Sequence, residues 1–301
     1  MYEGIRSPTV HTPKSLSDLS VALKRSTNPT IFAGGTYIMS TPGYYPKEGE
    51  QDIIYLGGIS EINRITRNDR YIEFGAGVTL QRLLTVGKQV LPSLLTEAIE
   101  STSTTIVRRQ ITIGGTLCIS HHRLLICAVL AALDAEVEIR SFKGSGTPLA
   151  RWIPIKDLYK RNGELKLAEL SKDKNILSSI RISLGKETFS TFIVADDVMR
   201  NREEAVILAL RCTYDQSVIT SFRMCLVFPT SLFLIPQEIS TYINGLPVPL
   251  STSQIERIVS LVTERISANT DSSSPVIQTE RARRAIEASL HALNAQGLSE
   301  R

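Results

Sequence analysis

Two glycine pairs constrain how this 301-residue chain can fold, because each interrupts a run of apolar residues with backbone that glycine adopts most freely. Gly34 and Gly35 form the first pair, and Gly114 and Gly115 form the second pair about 80 residues further along. Each pair follows an apolar, strand-like run and precedes a threonine, which predicts a strand followed by a tight turn. Successive amides in such turns can form a concave nest for an anion.

A single Gly-Gly-Thr segment is weak evidence for a ligand, since Gly-Gly is also common in ordinary tight turns. The repetition in matching contexts favours a ligand-binding interpretation. Two nests indicate a ligand with two phosphates. The lysine of a P-loop and the Gly-x-Gly-x-x-Gly spacing of a dinucleotide-binding fold are both missing from the sequence.

The composition predicts a globular protein with a sizeable core and two or three subdomains, since 42% of the residues are hydrophobic and 21% are charged. The longest apolar stretches, residues 124–133 and 225–236, are shorter than the roughly 20 residues of a membrane span. The N-terminus lacks the pattern of a signal peptide, so we expect a cytoplasmic location. The net charge of +4, without a basic run interleaved with aromatics, does not indicate nucleic-acid binding.

The cysteine and histidine patterns do not predict a metal site. The four cysteines, Cys118, Cys127, Cys212 and Cys225, contain no Cys-x-x-Cys pair. We expect buried free thiols, although Cys118 follows the second glycine pair closely enough to line a site. We also find no arrangement typical of nucleophilic or acid–base catalysis, and we predict no catalytic side chain.

The apolar periodicity predicts a mixed order of helices and strands in the first part of the chain. A helix with a capped start near Ser15 precedes the first glycine pair, and a short connector is expected over residues 61–67. Strands are predicted over residues 30–33, 53–56, 71–76 and 136–141, and helices over 79–87, 93–100 and 124–133.

Beyond about residue 185 the pattern changes to successive strands followed by helices. The predicted strands cover residues 188–194, 205–212 and 221–228, and the predicted helices cover 252–268 and 277–295. This order is typical of antiparallel strands covered by C-terminal helices.

Five motifs together carry a resemblance to a known family. In chain order they occupy residues 32–36, 53–56, 74–80, 112–117 and 130–137. Each is common by itself, but their order and spacing resemble the FAD-binding medium subunit of the molybdenum hydroxylases. That family includes xanthine dehydrogenase, carbon monoxide dehydrogenase and quinoline oxidoreductase.

The resemblance implies an α+β fold with two domains. Residues 1–183 would form a two-part flavin-binding domain of the vanillyl-alcohol-oxidase-like (PCMH) type, with subdomains over about 1–57 and 58–183. Residues 184–301 would form a domain that resembles the C-terminal domain of the carbon monoxide dehydrogenase flavoprotein.

The resemblance also implies where the cofactor binds. In such subunits both glycine segments flank the FAD pyrophosphate, and the second also approaches the flavin ring. By position, the implied cofactor-binding residues are Ala33, Gly34, Gly35, Thr36, Tyr37, Ile38, Thr112, Ile113, Gly114, Gly115, Thr116 and His121.

Several positions depart from the pattern of the family. Tyr37 stands where the first segment usually continues with Asp, and Arg109 and Thr116 stand where Asn is common. Leu125 falls on a position that is usually acidic. Because leucine cannot accept a hydrogen bond from a hydroxyl, one FAD contact is predicted to be lost, at a cost of about 1 kcal/mol or somewhat more.

His121 and His122 lie between the second glycine pair and Leu125. One of them could hydrogen-bond a flavin or a phosphate, with Arg109 or Arg123 supplying countercharge. A solvated turn with a basic edge is the alternative, and the sequence leaves both open.

The function implied by the resemblance is electron transfer. A large subunit with a molybdenum cofactor would hydroxylate a small molecule, and a small subunit with iron–sulfur clusters would relay electrons to FAD in this chain. FAD would pass them to an acceptor such as NAD, oxygen or a quinone. Two alternatives remain: a scaffold subunit of the same fold that binds flavin weakly or not at all, and a stand-alone flavin reductase or oxidase.

Overall fold

Three β-sheets organise the described part of the chain. The computed structural model describes residues 9–26, 29–40, 52–87, 90–119, 125–142, 148–159, 166, 174–185, 187–195, 205–228, 231–269 and 276–299. Together these residues confirm a mixed helix and sheet fold, with antiparallel sheets in the C-terminal part.

The first sheet is small and parallel. Its strands are β1 (Thr9–His11), β2 (Thr30–Phe32) and β3 (Asp52–Tyr55), in the order β1-β3-β2. Helix α1 (Leu16–Arg25) connects β1 to β2, and the short helix α2 (Thr36–Ser40) follows the first glycine pair.

The predicted capped start of α1 is confirmed. The Ser15 hydroxyl accepts a hydrogen bond from the Asp18 amide at 3.1 Å, and the Asp18 carboxylate accepts one from the Ser15 amide at 3.1 Å. This reciprocal capping box satisfies two amides that the helix cannot pair by itself. The buried side chains of Leu19 and Leu23 then pack with Ile54 of β3 in a small separate core.

The second sheet has five antiparallel strands in the order β4-β5-β8-β6-β7. The strands are β4 (Ile65–Arg67), β5 (Tyr71–Gly75), β6 (Glu136–Ser141), β7 (Leu149–Pro154) and β8 (Asn175–Ser183). Strand β4 corrects the predicted connector over residues 61–67, which is a 3₁₀ turn followed by a short edge strand. Its three residues are too few to show an alternating pattern, and they form a strand because they pair with β5.

The structure describes five helices between β5 and β6 along the chain. They are α3 (Leu80–Leu84), α4 (Ser93–Ser101), α5 (Thr105–Arg108), α6 (Ile113–Leu117) and α7 (Leu125–Ala132). The apolar run before the second glycine pair was predicted to be strand-like, and this prediction is wrong, because part of it forms α5. The Val107 carbonyl accepts hydrogen bonds from the amides of Gln110 and Ile111, at 2.9 and 3.0 Å, which closes the chain into a turn.

The third sheet is antiparallel and is covered by C-terminal helices, as predicted. Its order is β12-β11-β10-β9. The strands are β9 (Phe189–Ala195), β10 (Val206–Asp215), β11 (Val218–Val227) and β12 (Leu232–Leu234), and the helices that follow are α8 (Gln237–Ile243), α9 (Thr252–Asn269) and α10 (Val276–Ser299). Among the described helices, none has both the length and the apolar composition needed to cross a membrane.

Helix α7 lies at the centre of the molecule, and all eight of its side chains are buried. The alternation of β10 shows why: Ile207 and Ala209 pack in the same core as α7, whereas Leu208 and Leu210 pack with the C-terminal helices. A helix that is apolar on every side needs neighbours on every side. The second and third sheets therefore share one hydrophobic core through α7.

We expect Leu130→Ala to destabilise the protein strongly, because Leu130 of α7 is fully buried. The loss in the free energy of unfolding should be about 2–5 kcal/mol, measured by urea denaturation. Leu298→Ala is the matched control, since Leu298 is 59% exposed, and its effect should stay within about 0.5 kcal/mol. Equal losses for the two variants would contradict the central position of α7.

Candidate functional site

A cavity of about 630 Å³ lies between the two glycine segments. Ten of the residues that the sequence singled out line it: Ala33, Gly34, Gly35, Thr36, Tyr37, Ile38, Thr112, Gly114, Gly115 and Thr116. Ile113 does not line the cavity, because its side chain is fully buried in the core around α7. His121 lies outside the described residues, as do His122 and Arg123. The structure thus brings together two segments that are distant in sequence.

The first glycine segment lines the cavity, and three of its backbone amides have no partner among the described residues. Gly35 has a φ of +71°, the left-handed conformation that the sequence predicted for this turn. The amides of Gly34, Gly35 and Thr36 donate no hydrogen bond to any residue that the structure describes. An anion in the cavity can therefore accept hydrogen bonds from this segment.

Gly34 is also the point where the first segment meets the segment that precedes the second glycine pair. A Cβ atom at this position would overlap the backbone carbonyl of Gln110. Gln110 lies between α5 and α6, just ahead of the second glycine pair. Only glycine permits this approach, so the side chain missing at Gly34 sets the distance between the two walls of the cavity.

The second glycine pair has a different structure from the predicted nest. Both glycines lie in α6, and neither has a positive φ. The Gly114 amide donates to the Ala76 carbonyl at 2.9 Å, and the Gly115 amide donates to the Thr112 hydroxyl at 3.1 Å. Neither amide is free for an anion, because Thr112 caps α6 and the chain after β5 pairs with its first turn.

Close packing explains why glycine occurs at the second pair. A Cβ atom at Gly114 would come within 2.5 Å of the Ala76 side chain, and one at Gly115 would come within 2.7 Å of the Thr112 hydroxyl oxygen. Thr116 is buried as well, and its hydroxyl donates to the Ile113 carbonyl at 2.6 Å. The second segment therefore forms a closely packed wall of the cavity, and its amides and the Thr116 hydroxyl form their hydrogen bonds within the protein.

Asp, Glu, Lys, Arg and His do not occur among the described residues that line the cavity. Apolar side chains predominate, and the hydrogen-bonding groups are amides, hydroxyls and the Asn175 side chain. Arg109, one candidate for countercharge, is exposed and does not line the cavity. Leu125 begins α7, is buried in the core and also lies outside the lining. Tyr37 and Thr116, two other departures from the family pattern, both line the cavity.

The sequence did not single out two parts of the cavity wall. One is Ser103, and the other is the start of β8, where Asn175, Ile176 and Leu177 lie. Ser103 has a φ of +58°, which is unusual for a residue other than glycine. Nothing in the local sequence predicts that conformation, and β8 reaches the cavity only through its pairing with β5 and β6.

A buried charge network fixes the strand behind this wall. The Glu138 carboxylate is buried, and it accepts hydrogen bonds from Arg140 Nε at 2.9 Å and from the Ser178 hydroxyl at 2.5 Å. The register between β6 and β8 shifts at a β-bulge between Glu138 and Ile139. Such bulges re-aim neighbouring side chains, and this one lies beside the segment of β8 that reaches the cavity.

The cysteines behave largely as predicted. Cys127, Cys212 and Cys225 are buried free thiols, and Cys118 is exposed and lines the cavity. Cys127 Sγ donates a hydrogen bond to the Thr116 carbonyl at 3.2 Å, which links α7 to the second glycine segment. Within the described ranges, no group of three or more histidine, cysteine, aspartate or glutamate side chains could hold a metal ion.

Burial keeps these thiols protonated. Desolvation raises the pKa values of Cys127 and Cys212 to about 12. Cys118 is exposed as a residue, but the protein atoms around its thiol desolvate the charged form and raise its pKa to about 11. All three thiols are therefore weak nucleophiles at neutral pH.

Similar folds occur in solved structures of carbon monoxide dehydrogenases and of a quinoline oxidoreductase. A copper- and molybdenum-containing CO dehydrogenase, in its cyanide-inactivated form, aligns with a TM-score of 0.79 and 18% identity over 98% of this chain and 100% of that chain. Quinoline 2-oxidoreductase from Pseudomonas putida 86 aligns with a TM-score of 0.75 and 17% identity over 98% and 99% of the two chains. Carbon monoxide dehydrogenase from Hydrogenophaga pseudoflava aligns with a TM-score of 0.77 and 16% identity over 97% and 98%.

Comparison with curated protein sequences gives no significant match. The solved structures are too distant in sequence to show more than the fold. One family comparison is specific: the family described as the FAD-binding domain in molybdopterin dehydrogenase matches residues 5–183, which is more than half of the 301 residues. This chain therefore belongs to the family of FAD-binding domains of molybdopterin dehydrogenases.

Proposed function

We propose that this chain is the FAD-binding, electron-transferring subunit of a molybdenum hydroxylase. The observation that carries the proposal is a cavity that both glycine segments line, with free amides on the first segment. Membership of the FAD-binding family identifies the class of ligand that such a cavity takes.

The residues of the cavity fit the two chemical parts of FAD. The pyrophosphate is a dianion, and the free amides of Gly34, Gly35 and Thr36 are suitable donors for it. The ring systems are flat and largely apolar, and Ile38 and Leu177 supply apolar wall. The amides carry no formal charge, so they can hold a pyrophosphate without the lysine of a P-loop.

The chain contributes position and environment rather than acid–base catalysis. FAD, when bound, supplies the capacity to accept two electrons and to release them to an acceptor. The cavity walls hold the cofactor, orient it and exclude water from its buried parts. The described lining includes no carboxylate, imidazole or amine that would transfer a proton, so we assign no catalytic side chain.

The partners in this proposal follow from the family. A large subunit with a molybdenum cofactor would oxidise the substrate, and a small iron–sulfur subunit would carry electrons to this chain. NAD is one candidate for the final acceptor, and the cytoplasm is the proposed location. We also propose the domain boundaries 1–183 and 184–301, with subdomains 1–57 and 58–183, since the family match and strand β8 both end at residue 183.

One observation favours a second candidate function, a scaffold subunit that has lost flavin. The four amides from Ile113 to Thr116 are all used within the protein, so the second segment offers the cofactor no backbone donor. Of the two glycine segments, only the first then has described backbone amides available for the pyrophosphate. The scaffold and the electron-transfer subunit differ in one measurable property, which is flavin binding.

FAD binding is the direct test of the proposed function. We expect added FAD to show a perturbed visible spectrum and to raise the melting temperature of the purified protein. At a free concentration 100-fold above Kd, binding to the native state alone adds about 2.7 kcal/mol to stability. If saturating FAD keeps the visible spectrum of free FAD and leaves the melting temperature of the protein unchanged, the scaffold is favoured. Neighbouring genes for molybdenum and iron–sulfur subunits would separate the proposal from a stand-alone flavoenzyme.

Cys118 provides an independent probe of the cavity. At pH 9 we expect a small maleimide to label Cys118 slowly, because its pKa is about 11, and to leave the buried Cys127 and Cys212 unlabelled. FAD should protect Cys118, because this residue lines the cavity. The denatured protein, in which all four cysteines react, is the control. Equal labelling of Cys118 with and without bound FAD would place the cofactor elsewhere.

Gly34→Ala tests the close approach between the two cavity walls. We expect the FAD Kd to rise about 10-fold or more, because the new methyl group forces the first segment away from Gln110. Gly185→Ala is the matched control, since the nearest atom to its new Cβ is the end of the flexible Arg211 side chain at 3.2 Å. Titration of each variant with FAD measures the effect. An unchanged affinity in Gly34→Ala would refute this role for the glycine.

A further inference from the structure

Arg108, at the end of α5, has an unusual set of hydrogen-bond partners. Its Nη1 atom donates to the backbone carbonyls of Glu100 at 2.9 Å and Ser103 at 2.7 Å. Its Nη2 atom donates to the Thr105 hydroxyl at 3.1 Å, and its Nε atom donates to the Gln81 side chain at 3.3 Å. Within the described part of the chain it forms no ion pair with a carboxylate. The guanidinium thus joins α3, α4 and α5 through neutral oxygens.

The carbonyls that Arg108 binds belong to backbone that cannot satisfy them internally. Glu100 lies in the last turn of α4, where carbonyls have no partner within the helix. A cation at this end also interacts favourably with the helix dipole. Ser103 follows in a left-handed conformation with a φ of +58°, which costs energy for a residue with a Cβ atom. The hydrogen bond from Arg108 to the Ser103 carbonyl helps to hold this conformation.

The segment that Arg108 holds forms one wall of the cavity. Ser103 and Ile111, on either side of α5, both line it. The Ile111 carbonyl accepts a hydrogen bond from the Leu80 amide at 2.9 Å, which ties the other end of this segment to α3. Between them, the Gln110 carbonyl lies against Gly34. A shift of α5 would therefore move the wall and the surface on which the first glycine segment rests.

We propose that Arg108 is a positioning residue that preorganises the cofactor cavity. It fixes the backbone of residues 100–111 before FAD arrives, so that binding does not have to order this segment. The proposal rests on the proposed function, because it assigns Arg108 to the FAD site. Arg108 acts only through the backbone that it holds, since it does not itself line the cavity.

Arg109 provides a matched control within the same segment. It carries the same charge, its side chain is exposed, and it forms no side-chain hydrogen bond with the described residues. It also lies outside the cavity lining. A difference between variants at the two positions therefore reports the hydrogen bonds of Arg108 rather than the loss of a positive charge.

The experiment compares R108M, R108K and R109M in the full chain. We expect R108M to raise the FAD Kd about 10-fold or more, and R108K to raise it nearly as much, because one ammonium group cannot reproduce the planar fork. R109M should stay within about 2-fold of the wild type. At saturating FAD the visible band of R108M should also shift, which a mere loss of global stability would not produce.

Hydrogen exchange without FAD measures the same effect independently of the cofactor. We expect the amides of residues 101–111 to exchange faster in R108M than in the wild type, and to be unchanged in R109M. If R108M does not fold, the FAD affinity and the hydrogen exchange are both measured on R108K. Unchanged exchange and unchanged FAD affinity in the Arg108 variants would overturn the proposal, as would full rescue by R108K or an equal loss in R109M.

The failure of this proposal and that of the proposed function are distinguishable. A wild-type protein that does not bind FAD refutes the proposed function. A wild-type protein that binds FAD, with Arg108 variants that bind it equally well, refutes only the role of Arg108.

Discussion

The contact between Gly34 and the Gln110 carbonyl is the constraint on which the site depends. It joins the segment after the small parallel sheet to the segment that precedes the other glycine pair, and it needs a residue without a Cβ atom. With the two backbones this close, the free amides of the first segment face a wall of apolar and hydroxyl-bearing residues. The cavity is therefore a consequence of packing between two backbones.

The two glycine pairs have almost the same sequence and different structures. The first pair includes a left-handed residue, and its amides are free. The second pair lies in a short helix that Thr112 caps, and its amides are satisfied by Thr112 and Ala76. The local sequence could not distinguish these outcomes, because the difference comes from partners outside the glycine pair. Ala76 follows β5, which is nearly 40 residues earlier in the chain.

Local patterns predicted most of the regular structure. The Ser15 cap, the strand Glu136–Ser141 and the buried helix over Leu125–Ala132 all have strong local signals, namely a capping box, alternation and a continuous apolar run. The short edge strand Ile65–Arg67 has no such signal, because its conformation depends on pairing. The apolar run before Gly114 was misread as strand-like because a few β-branched residues fit a one-turn helix and a strand equally well.

The same distinction applies to the cavity. Collinear motifs located its two glycine walls, since those walls are contiguous in sequence. They could not locate Ser103 or the start of β8, whose positions depend on a left-handed residue and on sheet pairing. The motifs also included Ile113, which shares the segment but points into the core, because a motif contains every residue of a turn whichever way each one faces.

The burial of α7 on all sides has a consequence for how the chain can tolerate change. The third sheet covers one side of α7, and Cys127 on the same helix hydrogen-bonds to the Thr116 carbonyl in the cavity wall. The third sheet therefore covers part of the hydrophobic core of residues 5–183, the region that matches the family. A substitution in the third sheet, far from the cavity, can therefore shift the cavity wall through the buried helix α7.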